Sequence, residues 1–231
     1  MSVLTELKRE AYESNMEVPK QDLAIYTFGN VSAFDPDSGV FAIKPSGVPY
    51  ADLSPRLMVV MDLEGTIVEG DMRPSSDAST HRVLYREFPA IRGITHTHSP
   101  YAVAWAQAGM PIPIYGTTHA DYCAADIPCT EVMKDDAIKG DYEIETGKQI
   151  LETFAALNPQ KIEMVLVACH GPFTWGKDAA KSVFNAKVLE EIAKMAYFTA
   201  TIRPDTPRLK DALIDKHYQR KHGRNAYYGQ T

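Results

Sequence analysis

The chain has 231 residues, and its 24 Lys and Arg against 30 Asp and Glu leave a formal net charge of −6 at pH 7. That length fits one large domain or two small ones and should bury roughly 70% or more of the surface the unfolded chain exposes, and a 45% hydrophobic composition supplies the core. The acidic balance without a basic block argues against a nucleic-acid partner held by phosphate neutralisation, and three cysteines without a CxxC pair argue against a disulfide framework or a cysteine zinc site.

The first element is an amphipathic helix, predicted from the stripe Val3, Leu4, Leu7, Ala11 and Tyr12 and ending before Pro19. Glu6, Glu10, Glu13 and Glu17 stand where a signal peptide would be apolar, and the longest apolar run, Met164 to Cys169, is far below the roughly 20 residues of a membrane span, so a cytoplasmic protein with no membrane partner is expected. Short β-type runs follow at Val40 to Ile43 and Leu57 to Leu63, with Glu64-Gly65 turning into Thr66 to Val68. A helix from Ser76 to Phe88 is stopped by Pro89; then come a strand from Ile91 to Thr97 and a helix from Ser99 to Ala108 closed by Gly109. Beyond a loop-rich middle, Pro111 to Gly140, the pattern predicts a helix from about Glu143 to Leu157. A buried strand, Met164 to Ala168, ends at His170-Gly171-Pro172, where the backbone must turn. A long apolar stripe from Ala179 to Thr201 and a helix opened by Pro207 and running to about Lys221 precede a polar tail. With no repeat, linker or composition break, residues 1–231 read as one mixed α/β domain.

The strongest local signal for chemistry is His96-Thr97-His98 at a predicted strand end, because a period of two puts both imidazoles on one face. His170 closes another predicted strand, and two strand ends of one sheet can bring three imidazoles together. Three neutral nitrogen ligands suit a catalytic zinc with an open position better than a structural one. His81 and His222 read as packing or surface residues, and His119 and His217 as candidates without ligand spacing. Gly29-Asn30, Lys44 with Ser46-Gly47, and Ser75-Ser76 can offer N–H groups, hydroxyls or an ammonium to a phosphate, although each alone is an ordinary turn sequence. Asp77 is either the N-cap of the following helix or a carboxylate facing the metal. Trp105 and Trp175 read as packing residues.

Together these stretches resemble the class II aldolase and epimerase family, whose relatives include the adducin head, over essentially the whole chain. The resemblance rests on GNVSAFD (29–35), IKPSGVPY (43–50), RPSSD (73–77), THTHSPYAVAWAQAG (95–109), GTTHADY (116–122), CHGPFTWG (169–176) and DKHYQRKHGRNAYYGQ (215–230). The last three point to the epimerase branch, as does Asp77 where the related aldolases carry a Glu. The resemblance implies a single-domain, three-layer α/β fold with a central, mainly antiparallel sheet flanked by helices. It implies one zinc ion per subunit, with manganese or cobalt as substitutes, held by His96, His98 and His170 with Asp77 associated.

The implied reaction is the reversible interconversion of L-ribulose 5-phosphate and D-xylulose 5-phosphate by cleavage of the C3–C4 bond, rotation of the aldehyde and re-addition. It would serve pentose breakdown of the L-arabinose or L-ascorbate type. Asp121 and Tyr228 would be the acid/base pair; Gly29, Asn30, Lys44, Ser46, Gly47, Ser75 and Ser76 would hold the phosphate end, and Thr117, Glu143 and His217 would lie nearby. A homotetramer is implied, with sites at subunit interfaces and the tail, about residues 223–231, completing a neighbour's site. A class II aldolase acting on a sugar such as L-fuculose 1-phosphate is the alternative, and a metal-free interaction module like the adducin head is a third reading.

Overall fold

The computed structural model describes residues 2–228, so the last two residues of the tail motif, Gly229 and Gln230, and the terminal Thr231 lie outside the described residues. Seven strands form one sheet: β1 (Asn30–Asp35), β2 (Val40–Ile43), β3 (Val59–Asp62), β4 (Ile67–Glu69), β5 (Gly93–His96), β6 (Met164–Val167) and β7 (Gly171–Gly176). Their order is β4-β3-β2-β1-β5-β7-β6, and every neighbouring pair is antiparallel. Around the sheet lie α1 (Val3–Lys20), α2 (Ala78–Glu87), α3 (Pro100–Gln107), α4 (Thr117–Ala120), α5 (Asp135–Lys139), α6 (Tyr142–Thr153), α7 (Ala179–Ile202) and α8 (Asp211–His222).

Strand alternation sorts the side chains into layers. Phe41, Ile43, Val59, Met61, Val165 and Val167 face a core shared with Leu84 of α2 and Ile150 of α6. Their neighbours in sequence, Val40, Ala42 and Val60, face the opposite core with Leu7 and Ala11 of α1 and Val183 of α7. On that same side, Met164 and Leu166 enter a third core with Ala102 and Ala106 of α3 and Leu189 and Ile192 of α7. The result is the expected three-layer α/β fold. The 24-residue α7 spans the second and third of these cores, and Met195, Phe198 and Ile202 in its last turns are still exposed.

Several local expectations change. α1 continues through Pro19 to Lys20: buried Val18 and the Asn15 amide, which donates to the Val31 carbonyl at 2.8 Å, hold its last turns against β1 although proline removes one N–H. Asn30, half of the turn-type pair Gly29-Asn30, opens strand β1, and GPFTWG is a strand as well, because burial and ladder pairing outweigh the turn tendencies of Gly, Pro, Asn and Ser. The chain turns before Gly171, through Cys169 with φ of +63°, where a hydrogen bond of 3.0 Å from His170 N to the Val167 carbonyl closes the turn. α8 starts at Asp211, four residues after Pro207, because Leu209 N first donates to the Ile114 carbonyl at 2.7 Å. The loop-rich middle contains the short helices α4 and α5, and α6 ends at Thr153.

Candidate active site

β5 ends at His96, and Thr97-His98 continue beyond it, yet both imidazoles still converge: His96 Nε2 and His98 Nε2 are 3.1 Å apart. His96 Nδ1 lies 2.9 Å from the Pro172 carbonyl, which can only accept, so Nδ1 carries the hydrogen and Nε2 presents its lone pair. Its ring stacks on Phe173 at 4.3 Å between centroids. His170, in the turn between β6 and β7, completes a set in which one ring nitrogen from each histidine lies within 4.8 Å of the others. The glycine at 29 allows this end of the sheet to close, since with φ of +81° a Cβ there would stand 3.0 Å from the His96 carbonyl.

These residues fit a metal ion. Two nitrogens bound to one tetrahedral zinc at about 2.0–2.1 Å lie about 3.3 Å apart, close to the 3.1 Å between the Nε2 atoms of His96 and His98. Burial, with the neighbouring imidazoles, pushes His170 down to about 4 and His98 below its ordinary value, so both rings are neutral at pH 7, the form that can offer a lone pair to a metal ion. Asp77 occupies the N-cap position of α2 but makes no side-chain capping bond; it faces the same cavity, and its Oδ2 accepts from Asn30 Nδ2 at 2.7 Å. Burial works against its ionisation, but the His96, His81 and His170 imidazoles and the Asn30 amide outweigh that and hold its carboxyl below the usual range.

The cavity in front of the histidines measures about 350 Å³. Lys44 also lines it, 2% exposed, and its Nζ donates to the Thr27 carbonyl at 3.2 Å and forms no ion pair among the described residues. Burial lowers its pKa to about 8. The two flanking loops are clamped together, Ser46 N donating to the Arg73 carbonyl at 2.9 Å and Ser75 N to the Lys44 carbonyl at 3.0 Å. Those amides are therefore spent within the protein, and it is the side chains of Ser46, Ser75 and Ser76 together with Gly47 that remain to meet an anion.

Of the residues singled out from sequence, Gly29, Asn30, Lys44, Ser46, Gly47, Ser75, Ser76, Asp77, His96, His98, Glu143 and His170 all line this cavity. Thr117, Asp121, His217 and Tyr228 are not among its lining residues; they lie in α4, just after α4, in α8 and in the segment after α8, respectively. Asp121 follows α4 and accepts from Arg220 at both oxygens, Nε to Oδ1 at 3.0 Å and Nη2 to Oδ2 at 2.7 Å. His217 Nδ1 is 3.0 Å from Oδ1, and Lys221 Nζ is 3.6 Å from Oδ2. Burial raises the Asp121 pKa, but the hydrogen bonds from Arg220 and His217 and the Lys221 charge outweigh it and keep this carboxyl below its ordinary value. Tyr228 is 61% exposed and turns back on α8, its ring 4.9 Å from the Arg220 guanidinium and 4.4 Å from Lys221 Nζ.

Sequence reasoning missed Tyr142, Arg220 and Lys221. Tyr142 opens α6 beside Glu143 and lines the cavity, but no spacing marks it. Arg220 and Lys221 were legible only as a basic helix end, an ordinary complement to a helix C-terminus. His81 is fully buried, its Nδ1 2.7 Å from Ser32 Oγ, in line with the packing reading. His222 stacks on Tyr218 and contacts the Asp121 carbonyl.

An antiparallel α/β sheet thus presents three imidazoles that could hold a metal ion to a cavity lined also by a buried lysine that forms no ion pair among the described residues. The chain belongs to the class II aldolase and adducin N-terminal domain family, whose profile matches residues 9–197. Solved structures agree in fold. An L-fuculose 1-phosphate aldolase is 24% identical, with 95% of this chain and 97% of that one covered and a TM-score of 0.78. YgbL from Klebsiella pneumoniae, described as an aldolase/epimerase/decarboxylase, is 25% identical over 94% of this chain and 99% of its own, with a TM-score of 0.73. An L-fuculose 1-phosphate aldolase from Glaciozyma antarctica is 16% identical over 96% and 84%, with a TM-score of 0.75.

Proposed function

We propose that the chain is a metal-dependent epimerase of pentulose 5-phosphates, interconverting L-ribulose 5-phosphate and D-xylulose 5-phosphate through cleavage and re-formation of the C3–C4 bond. The observation that carries this reading is one cavity holding the three convergent imidazoles and the unpaired Lys44 ammonium. A divalent cation on His96, His98 and His170 would supply Lewis acidity toward the carbonyl and hydroxyl oxygens of the sugar. Lys44, Ser46, Gly47, Ser75 and Ser76 bind the phosphate, the ammonium matching its charge and the hydroxyls its oxygens.

Epimerisation needs one proton-transferring group on each side of the C4 oxygen, one to accept its proton as the bond breaks and one to return a proton after the aldehyde has turned. Asp121 suits the accepting role, because its cationic neighbours keep it ionised. The Tyr228 hydroxyl is the donor, reaching the cavity of an adjacent subunit in a homotetramer through the tail. Asp77 in place of the longer Glu of the related aldolases also supports the epimerase branch. Zinc, a cytoplasmic location and pentose breakdown complete the reading.

The test is incubation of the zinc-loaded protein with L-ribulose 5-phosphate, followed by NMR. D-xylulose 5-phosphate without free fragments is expected. Net release of dihydroxyacetone phosphate from L-fuculose 1-phosphate, with no pentulose turnover, would replace this reading with the aldolase, which would use the same imidazoles.

A further inference from the structure

The three imidazoles are not anchored alike. His96 is fixed by the Pro172 carbonyl and by stacking on Phe173, and His98 lies against the Phe28 ring at 5.6 Å. His170 sits in a turn after a residue of positive φ, and the hydrogen-bonding partner of its ring is the Tyr142 hydroxyl, 3.4 Å from Nδ1. We propose that Tyr142 is a positioning residue for the metal centre: its hydroxyl oxygen accepts from the Nδ1–H of His170, fixing the tautomer and turning Nε2 toward the ion. The proposal rests on the metal-site reading above and deepens it. A ligating imidazole generally gives its second ring nitrogen to such a partner, and loss of the partner typically weakens metal binding by about 10–100-fold.

The fold is built to deliver this hydroxyl. Tyr142 is the first residue of α6, and Thr80 of α2 donates to the adjacent Glu143 carbonyl at 2.6 Å. One turn on, Gly147 lets the two helices approach closely, for a Cβ there would meet the Val83 side chain at 2.7 Å. Thr146 Oγ1 donates to the Tyr142 carbonyl at 2.9 Å and tightens the same turn. The α2/α6 pair therefore carries Asp77 at one helix start and Tyr142 at the other, so both of these cavity-lining residues come from one packed unit.

The test needs no substrate. Zinc affinity is measured by competition with a chromogenic chelator on the full chain, and visible absorption on the cobalt-substituted protein, for the wild type, Tyr142→Phe, Tyr142→Leu and His98→Asn. Tyr142→Phe keeps the ring, so circular dichroism of the metal-free form should match the wild type while zinc affinity falls by about tenfold or more and the cobalt spectrum shifts. Unchanged affinity and spectrum in Tyr142→Phe would overturn the proposal, and so would weakening confined to Tyr142→Leu, which would assign the effect to ring packing. A wild-type chain that takes up no metal, with His98→Asn indistinguishable from it, would instead overturn the metal-site reading.

Discussion

A lysine buried without a carboxylate is costly unless an anion arrives to match it, and Lys44 is in that position. Its pKa of about 8, lowered by burial, fixes a direction for substrate affinity. Below pH 8 the ammonium is charged and can pair with the phosphate; as pH rises through 8 the free enzyme loses that charge, so KM for a phosphorylated sugar should climb. Steady-state kinetics from pH 7 to 9.5 checks this, and Lys44→Met should raise KM at pH 7 by roughly 10–100-fold, the loss of one strong charge-assisted bond, and flatten the climb. The sign for stability is the opposite: a lysine depressed in the folded state weakens folding at low pH, and the penalty lifts as pH rises from 8 toward its unfolded value. At this scale the sequence was informative where chemistry has a spacing, as in His96-Thr97-His98. It was silent where the role comes from burial or a helix contact, as with the unpaired state of Lys44 and the placement of Tyr142 against His170.

Among the elements, α3 depends on a distant partner. It begins just after His98 with Ser99 at its N-cap, yet the serine makes no capping bond. Glu190 of α7, only 6% exposed, accepts from Tyr101 N at 3.0 Å and Ala102 N at 2.9 Å and does the capping instead. Glu190→Ala would leave two buried N–H groups without a partner and should destabilise the fold by about 1–3 kcal/mol, read as a lower midpoint in urea. It should also loosen His98, whose peptide leads into α3, and lower metal retention. The same element scale explains which strands were legible. β2, β3 and β6 are apolar runs and announced themselves, whereas β1 and β7 interleave Asn, Ser, Gly, Pro and Thr with their apolar residues and are strands with neighbours on both sides to supply their hydrogen bonds. Glu190 likewise looked like one more charge on a long helix, since nothing local shows which helix start it will meet.

For the whole molecule, the separation of Asp121 and Tyr228 from the histidine cavity within one chain is the feature that the proposed assembly has to resolve. If the tail serves a neighbour, mixing Tyr228→Phe and His98→Asn chains should restore part of the activity that neither has alone, because some hybrid interfaces then join an intact metal site to an intact tyrosine. Failure to restore activity despite mixing shown by mass spectrometry would assign each site to one chain. Tyr228→Phe itself should lower kcat sharply and leave zinc content unchanged, since its proposed work is proton transfer and not holding the ion. The long helix α7 has a consequence on another axis, that of time. Because its two halves are bolted into different cores, it has no way to open without breaching both. Amide protons in its middle, around Asn185 to Leu189, should exchange with deuterated solvent only through complete unfolding, while those of the short, unburied α5 should exchange within moments. The molecule would thus keep time with two clocks, a slow one in its spine and a fast one in the short helix that leads into α6.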